Sequence, residues 1–262
     1  MFPELTAIDE LPARSRLTAW ALDGVHHGFM SRRGGVSGGV FADLNLAGWI
    51  DDEPAAVAEN WRRWDATYPA MKPARLNQVH GNKVIFIDES RGDTRPEADG
   101  MVTTNRGIAL CIFTADCVPI LLIDTVNQVA GALHSGWRST IADIAAVGVR
   151  TMVEHGARLE SIRAALGPAI GFCCFEVEAE LAERFADEVP GSDKHATPGR
   201  SGKAYLDLRA IVCDQLAGAG LNPRNIASVG PCTKCANDHF FSRRANGGKI
   251  SGLQMSFIGF AA

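Results

Sequence analysis

Short runs of β-branched and aliphatic residues alternate along the chain with turn residues, and this pattern predicts strands. Four of these runs follow one another closely in the middle of the chain, and three more lie nearer its end. The predicted strands are Val84–Ile87, Ile108–Phe113, Val118–Asp124, Gln128–His134, Ile162–Leu166, Ile226–Val229 and Leu253–Phe260. Several of them are apolar at successive positions, which predicts sheets covered on both faces.

Helices are predicted where apolar residues recur at helical spacing behind a capping residue. One begins at Asp52-Glu53-Pro54 and runs to about Tyr68, with acid and proline in its first turn. A second begins at the capping-box spacing of Thr140 and Asp143 and continues to Gly156. Two more helices are marked by apolar stripes. The first stripe is Val177, Leu181, Ala182 and Phe185. The second is Leu208, Ile211, Val212 and Leu216, and this last helix ends at Gly218 or Gly220. The alternation of strands and helices, without a linker or repeat, predicts one α/β domain spanning residues 1–262, with helices outside the sheets.

The composition supports a large core and argues against two classes of partner. Apolar residues make up 46% of the 262 residues, which is enough to fill a core of that size. A net charge of −4 argues against nucleic-acid binding. We find neither an apolar stretch of membrane-spanning length nor a signal peptide at the N-terminus. The seven cysteines are an odd number, so a reducing cytoplasm is expected. The sequence does not specify an oligomeric state.

Three separated segments each offer one metal ligand at the edge of an apolar strand. They are Gln78-Val79-His80-Gly81, Ala115-Asp116-Cys117-Val118-Pro119 and His134-Ser135-Gly136-Trp137-Arg138. Strand ends that meet at one rim of a sheet would bring His80, Cys117 and His134 together. Two imidazoles and a thiol suit a zinc ion whose fourth position is open to water or substrate.

Two interpretations of this trio are open at the level of the residues. The intervals between the three residues match no compact zinc signature, so spacing alone does not establish a metal site. The alternative is a metal-free pair in which Cys117 is the nucleophile and His134 or His80 the base. Asp99, Asp116 and Asp207 are acids near turns that could orient a ligand histidine, but their positions favour a role as exposed caps.

Three basic segments flanked by glycine or by a helix start indicate an anionic substrate. Arg138 lies near a predicted helix N-terminus, where backbone N–H groups favour phosphate. Arg32 begins a segment that contains four glycines, and Arg244 lies just before Gly247 and Gly248. None of the three matches a P-loop, and each taken alone is also compatible with an ordinary surface hairpin or a solvent-facing arginine.

The remaining cysteines give a weaker indication. Cys232 and Cys235 form a C-x-x-C, but no second C-x-x-C accompanies them and they do not lie between a first strand and a helix. We therefore predict no separate structural metal at this motif. The neighbours Cys173 and Cys174 are expected to point in different directions and to serve as packing residues.

The motifs, taken together and in order, resemble a known family. They are His27-Gly28-Phe29, Arg32-x-Gly34-Gly35-Val36-Ser37, Asp43-Leu44-Asn45-Leu46, Gln78-Val79-His80-Gly81, Glu97-Ala98-Asp99-Gly100, Thr114-Ala115-Asp116-Cys117-Val118-Pro119, His134-Ser135-Gly136-Trp137-Arg138, Gly167-Pro168-Ala169-Ile170-Gly171, Tyr205-Leu206-Asp207-Leu208, Cys232-Thr233 and Phe241-Ser242-x-Arg244. This set is similar to the bacterial YfiH/YlmD proteins, which are also labelled laccase-domain or polyphenol oxidase proteins. The resemblance extends from about His27 to the end of the chain.

The resemblance implies a metal site formed by His80, Cys117 and His134. It also implies mixed β-sheets layered between helices, a fold shared with a toxin deamidase. The implied activity is zinc-dependent phosphorolysis of adenosine, inosine, guanosine and methylthioadenosine, together with deamination of adenosine. On that basis we expect Cys117, His80, His134 and Arg138 to be catalytic, and Arg32, Asn45, Gln78 and Arg244 to contact the nucleoside or phosphate.

Other activities attached to the family are copper-dependent phenol oxidation and peptidoglycan editing. An oxygen-reducing copper centre needs many histidines, and this chain has seven, none in an H-x-H pair. Zinc therefore explains the ligand set better, although two histidines and a cysteine also permit copper. The chain departs from the family pattern at Ser135, at Ser139 and in the glycine-rich segment after Arg244, and Cys235 lies outside the pattern.

Overall fold

The computed structural model describes residues 6–8, 16–18, 20, 22–89, 94–249 and 251–262, which form three β-sheets and five α-helices. The strands are β1 (Thr6–Ile8), β2 (Arg16–Thr18), β3 (Val25–Met30), β4 (Lys72–Ala74), β5 (Val84–Phe86), β6 (Gly100–Thr103), β7 (Ile108–Thr114), β8 (Val118–Asp124), β9 (Val129–Ser135), β10 (Arg163–Leu166), β11 (Glu176–Glu178), β12 (Ala196–Pro198), β13 (Lys203–Leu206), β14 (Ile226–Ser228) and β15 (Gln254–Phe260). The helices are α1 (Pro54–Thr67), α2 (Trp137–Ile141), α3 (Ile144–Glu154), α4 (Ala179–Glu188) and α5 (Leu208–Gly218).

Two six-stranded sheets carry most of the architecture. The first has the order β1-β2-β3-β15-β7-β4, and the second has the order β14-β10-β8-β9-β6-β5. Both mix parallel and antiparallel pairs. In the first sheet β7 is parallel to β4 and antiparallel to β15, and in the second β6 is parallel to β5 and antiparallel to β9. A third, antiparallel sheet has the order β11-β13-β12. The prediction of mixed, layered sheets flanked by helices is confirmed.

Side chains that alternate along β7 and β8 explain why the two large sheets stack. Leu121 of β8 packs in one core cluster with Leu110 and Ile112 of β7, between the sheets. The neighbouring Ile120 and Leu122 point to the other face and pack with α3 and α5. Because successive side chains of a strand face opposite sides, a strand that is apolar throughout must be covered on both. The order of layers is therefore helices, second sheet, first sheet and α1.

Helix α1 covers the outer face of the first sheet. Trp64 and Tyr68 pack with Cys111 and Phe113, the outward residues of β7. Trp64 is completely buried. Its burial explains why the helix predicted between Asp52 and Tyr68 forms where it does, since tertiary packing stabilises an amphipathic helix more than propensity does.

The prediction of one continuous helix from Thr140 to Gly156 is wrong. The chain forms two helices, α2 and α3, because Asp143 adopts a left-handed conformation with φ 51°. The Asp143 carboxylate accepts a hydrogen bond from the N–H of Ala146, so Asp143 caps the start of α3 and does not complete a capping box with Thr140. The Thr140 hydroxyl instead donates to the carbonyl of Gly136.

Within the described ranges, no helix combines the length and the apolar character that a membrane span requires.

Candidate metal centre and cleft

The structure brings the three predicted ligands together at one end of the stacked sheets. His80 lies in the loop between β4 and β5, Cys117 in the connection from β7 to β8, and His134 near the end of β9. The β7–β8 connection crosses from the first sheet to the second. In the pairing of β8 with β9, Pro119 lies opposite His134. Cys117 precedes Pro119 by two residues, so this pairing holds Cys117 close to His134.

The ligand atoms of His80, Cys117 and His134 all lie within 4.8 Å of one another. The two imidazole rings meet edge to face, with centroids 4.7 Å apart. Gly136 closes the space behind them, because a Cβ atom at this position would lie 3.0 Å from His80 Cδ2 and 3.1 Å from Cys117 Sγ. Three ligand atoms this close can hold one ion and leave a fourth position open.

Asp99 is fully buried and organises two of the three ligands. Its Oδ1 accepts hydrogen bonds from His134 Nδ1 (2.8 Å) and from the backbone N–H of His80 (2.9 Å). Its Oδ2 accepts from the N–H groups of Gly81 (2.7 Å) and Val79 (3.2 Å). A proton held on Nδ1 leaves the Nε2 lone pair of His134 available to a metal. Of the three acids expected as orienting groups, Asp99 therefore orients a ligand histidine.

The electrostatics of the trio favour charged forms. Burial raises the pKa of Cys117, but the positive charge and hydrogen bonds of His134 outweigh this and lower it to about 6. Burial lowers the pKa of His134, and the charge of Cys117 together with the hydrogen bond to Asp99 raises it to about 9. In the absence of a metal the two side chains therefore form a thiolate–imidazolium pair at neutral pH.

Asp116 holds the turn that presents Cys117. It has a positive φ of 88°, a conformation that L-residues rarely adopt. Its carboxylate accepts hydrogen bonds from the hydroxyl of Thr233 (2.6 Å) and from the N–H of Arg244 (2.7 Å), and its carbonyl accepts from the N–H of Ile170. Three loops distant in sequence thus compensate for the strained turn. Asp207, the third acid considered, caps α5.

A cleft of about 490 Å³ opens beside the three ligands. One wall is apolar and aromatic, and Trp49 meets Phe113 edge to face with centroids 4.9 Å apart. The guanidinium of Arg95 lies over the Trp49 ring at 4.1 Å. A polar wall includes Asn77, Gln78 and Arg243, and the volume is sufficient for a small organic ligand.

Of the four residues expected to bind substrate, Gln78 lines this cleft. Its side-chain amide is paired with the backbone of Phe113, donating to the carbonyl and accepting from the N–H, each at 2.8 Å. Arg138, expected to be catalytic, is exposed at the start of α2, and its guanidinium lies 4.2 Å from the centroid of the Trp137 ring. Arg138 is not among the residues that line the cleft.

Arg32, Asn45 and Arg244 make their hydrogen bonds within the protein framework. Arg32 donates to the carbonyls of residues 42 and 237. The amide of the fully buried Asn45 bonds Asp52 and the backbone of residues 47 and 253. Arg244 donates to the carbonyls of residues 174 and 176. These side chains stabilise the loops around the cleft and are not among its lining residues.

Among the residues lining the cleft that the sequence did not reveal are Trp49, Asn77, Phe113 and Arg243. Arg243 lies in the same basic segment as Arg244, the residue that the sequence predicts to contact substrate. The backbone separates the two: Arg244 turns toward residues 174–176, whereas Arg243 donates from Nε to the carbonyl of Gly248 and lines the cleft.

The prediction for the cysteines at positions 173 and 174 is wrong. Their sulfurs do not diverge, since Cys235 Sγ lies 3.6 Å from Cys173 Sγ and 3.4 Å from Cys174 Sγ. Cys232 completes the cluster. The two adjacent residues lie in a turn, where successive side chains do not alternate as they do along a strand.

The model of one protein family, described as multi-copper polyphenol oxidoreductase laccase, matches residues 26–261. This chain belongs to that family. It is 40% identical over 227 residues to a Streptomyces coelicolor protein named purine nucleoside phosphorylase, covering 85% of this chain and 91% of the relative. A Deinococcus radiodurans protein of the same name is 39% identical over 237 residues, covering 90% and 89%.

Two solved structures share the fold. YfiH from Bacillus licheniformis superposes with a TM-score of 0.88 at 29% identity, covering 96% of this chain and 97% of that protein. YlmD from Geobacillus stearothermophilus superposes with a TM-score of 0.87 at 31% identity, covering 94% and 96%. The expected resemblance to the YfiH/YlmD proteins is confirmed.

Proposed function

We propose that this chain is a zinc-dependent purine nucleoside phosphorylase that also deaminates adenosine. The observation that carries the proposal is the convergence of His80, Cys117 and His134 at the end of a cleft with an aromatic wall. The names of the relatives, at 35–40% identity, supply the substrate class. Adenosine, inosine, guanosine and methylthioadenosine are the proposed nucleosides, with phosphate as the second substrate. Because the seven cysteines are all free, we assign the activity to the reducing cytoplasm.

The residues present fit a zinc ion. Two imidazoles and a thiolate are a ligand set that zinc accepts, and the hydrogen bond from His134 Nδ1 to Asp99 leaves Nε2 free to bind. The carboxylate of Asp99 also fixes the backbone of His80. Zinc bound here supplies a Lewis acid that polarises an oxygen of the substrate or of water.

The cleft offers a purine two kinds of contact. Trp49 provides flat apolar surface against which a base can stack, and the buried Phe113 supports its ring edge to face. Asn77, which lines the same cleft and is exposed, can hydrogen-bond ring nitrogens or ribose hydroxyls. Because the amide of Gln78 is already paired with Phe113, we propose that Gln78 shapes the cleft through this pairing.

Phosphorolysis requires phosphate to attack C1′ of the ribose while the bond from C1′ to N9 of the purine breaks. The electron pair of that bond goes to the purine, which takes up a proton, and the products are the free base and ribose 1-phosphate. We propose Arg243 as the principal phosphate contact, because its guanidinium lines the cleft and only Nε is occupied by Gly248. Arg138, which is exposed and follows Gly136 by two residues, is the second candidate for this contact.

The test is a product assay with zinc-loaded protein. Adenosine and phosphate should give adenine and ribose 1-phosphate, and adenosine without phosphate should give inosine and ammonia. Arg243→Ala should raise the KM for phosphate, while Arg62→Ala, which removes an exposed arginine paired with Glu59 on α1, should not. Absence of both products with zinc-loaded wild type would refute the proposed function.

One observation favours a second candidate, a metal-free cysteine hydrolase or deamidase. The lowered pKa of Cys117 and the raised pKa of His134 are those of a nucleophile activated by a neighbouring imidazolium. Turnover that persists after chelation and is abolished by alkylating Cys117 would support this candidate. Turnover that disappears on chelation and returns with zinc would exclude it.

The family description suggests a copper oxidase as well. Among the described residues, two clusters can hold a metal, and only that of His80, Cys117 and His134 contains histidine. An oxygen-reducing centre with several copper ions needs more imidazole ligands than this. A copper-loaded sample is therefore expected not to oxidise phenols catalytically.

A further inference from the structure

Four cysteines from two loops converge on one point of the surface, outside the cleft. Cys173 and Cys174 lie in the loop after β10, and Cys232 and Cys235 lie in the loop after β14. Because β10 and β14 are parallel neighbours, both loops leave the same end of the second sheet. All four sulfurs lie within 4.8 Å of one another.

The spacing of the sulfurs matches one central ion better than it matches disulfides. A zinc–sulfur bond of about 2.3 Å places the sulfurs of a tetrahedral site about 3.8 Å apart. The sulfur of Cys235 lies 3.6 Å from that of Cys173 and 3.4 Å from that of Cys174, so it is nearly equidistant from two partners. A disulfide would instead select one partner at about 2.05 Å.

The backbone lets the two cysteine-bearing loops approach each other closely. A Cβ atom at Gly171 would lie 3.1 Å from Cys232 Cβ and 3.4 Å from Cys173 Sγ, so a side chain at this position would crowd two of the four cysteines.

We propose that these four cysteines bind a structural zinc ion, contrary to the expectation from the sequence that the C-x-x-C of Cys232 and Cys235 holds no separate metal. Four thiolates close the coordination shell, which is the arrangement of a structural and not a catalytic zinc site. Each thiol that is still protonated loses its proton to solvent on binding, and the four thiolates with Zn²⁺ carry a net charge of −2. Arg244, which donates to the carbonyls of Cys174 and Glu176, offsets part of this charge. Cys235 is outside the motifs that resemble the family, so the family resemblance does not imply this site.

The ion would stabilise the turn at Asp116, which leads to Cys117. Asp116 accepts hydrogen bonds from Ile170 and Thr233, which lie beside the two cysteine-bearing loops. The backbone of Thr233 also donates to Ala169, and Cys232 forms a parallel bridge with Ala169. Joining the loops through a metal therefore restricts the segments that hold Asp116 in its strained conformation.

The experiment is metal analysis of the full chain purified under reducing conditions with zinc supplied. Cys235→Ser and Cys173→Ser, both at exposed positions, should each lose one zinc ion per chain relative to wild type. Cys213→Ser, which removes a half-buried thiol outside the cluster, should lose none. The chelator-dependent fall in the melting temperature of wild type should be smaller in Cys235→Ser, because that variant has already lost the ion.

Cobalt substitution distinguishes the two metal sites by the number of thiolates. The thiolate-to-cobalt absorption should persist in His80→Ala, which damages the centre in the cleft, and should fall sharply in Cys235→Ser. Equal zinc content in wild type, Cys235→Ser and Cys173→Ser would overturn the proposal. So would disulfides between the two loops, found by non-reducing peptide mapping of protein prepared under the same reducing conditions. Neither outcome depends on nucleoside turnover.

Discussion

Replacing Asp99 by asparagine tests whether a buried carboxylate organises the metal centre. The carboxylate accepts four hydrogen bonds, two on each oxygen. An asparagine of the same shape must turn its NH₂ group toward one of these pairs of donors. If it faces Gly81 and Val79, two backbone N–H groups lose their acceptor. If it faces His80 and His134, the N–H of His80 loses its acceptor, and the imidazole avoids the NH₂ group only by giving up its Nδ1 proton and keeping one on Nε2, the nitrogen that would bind the metal.

The magnitude follows from the donors left without partners. Each orphaned buried donor costs about 1–3 kcal/mol, so two cost about 2–6 kcal/mol. This is a large fraction of a total stability of about 5–15 kcal/mol. Metal affinity should fall about 10–100-fold, as it does when a group behind a ligand histidine is lost.

The assay is urea denaturation of metal-free protein together with competition against a chelator for zinc. Measurements belong at neutral pH, because the pKa of Asp99 is lowered: its contribution is present above the ordinary carboxyl pKa and is lost as the pH falls through the lowered value. The matched control is Asp207→Asn, since Asp207 caps α5 and asparagine caps a helix equally well. If Asp99→Asn were as stable and bound zinc as tightly as Asp207→Asn, the reasoning would fail.

Two further predictions concern the same centre. Gly136→Ala places a methyl group 3.0 Å from His80 Cδ2 and 3.1 Å from Cys117 Sγ, so zinc binding should weaken about tenfold or more while the fold persists. The control Gly218→Ala, at an open position, should bind zinc normally. Equal zinc affinities of the two variants in chelator competition would contradict the prediction. In metal-free protein at pH 7, iodoacetamide should label Cys117, whose lowered pKa of about 6 leaves it mostly thiolate, faster than Cys213, whose burial raises its pKa to about 11. Peptide mapping over time measures both rates, and the Cys117 rate should decline as the pH falls below 6; faster labelling of Cys213 would count against the assigned ionisation.

The sequence predicted the parts of the fold that depend on local periodicity. Strands β7, β8 and β9 were located within a residue or two, because unbroken apolar runs bounded by turn residues leave few alternatives. The break between α2 and α3 was missed, since it depends on the left-handed conformation of Asp143, which apolar spacing does not reveal. That residues 1–262 form one domain stays a prediction.

In the candidate site too, the sequence predicted some residues and missed others. His80, Cys117 and His134 were identified because each carries a chemically distinctive group beside a strand end, and the family resemblance singled out the same three. Apart from these three and Gln78, the lining of the cleft could not be predicted, because residues such as Trp49 and Arg243 reach it through tertiary packing of loops. Arg32 and Asn45 match recognisable motifs, and in the structure their side chains hydrogen-bond backbone carbonyls and Asp52. A motif alone does not distinguish a residue that supports the loops from one that contacts substrate.

The crossing of the β7–β8 connection between the sheets links the metal centre to the whole core. Cys117 sits at the end of this crossing, and His80 lies in the loop that leads from the first sheet to the second. An ion shared by these residues would oppose any separation of the two layers, so binding energy at the centre becomes resistance to opening of the sandwich. By reciprocity, a mutation that loosens the packing of Leu121 or Ile112, in the core between the layers, is expected to weaken metal binding. Measured metal affinity can therefore report on the packing of core residues that do not contact the metal.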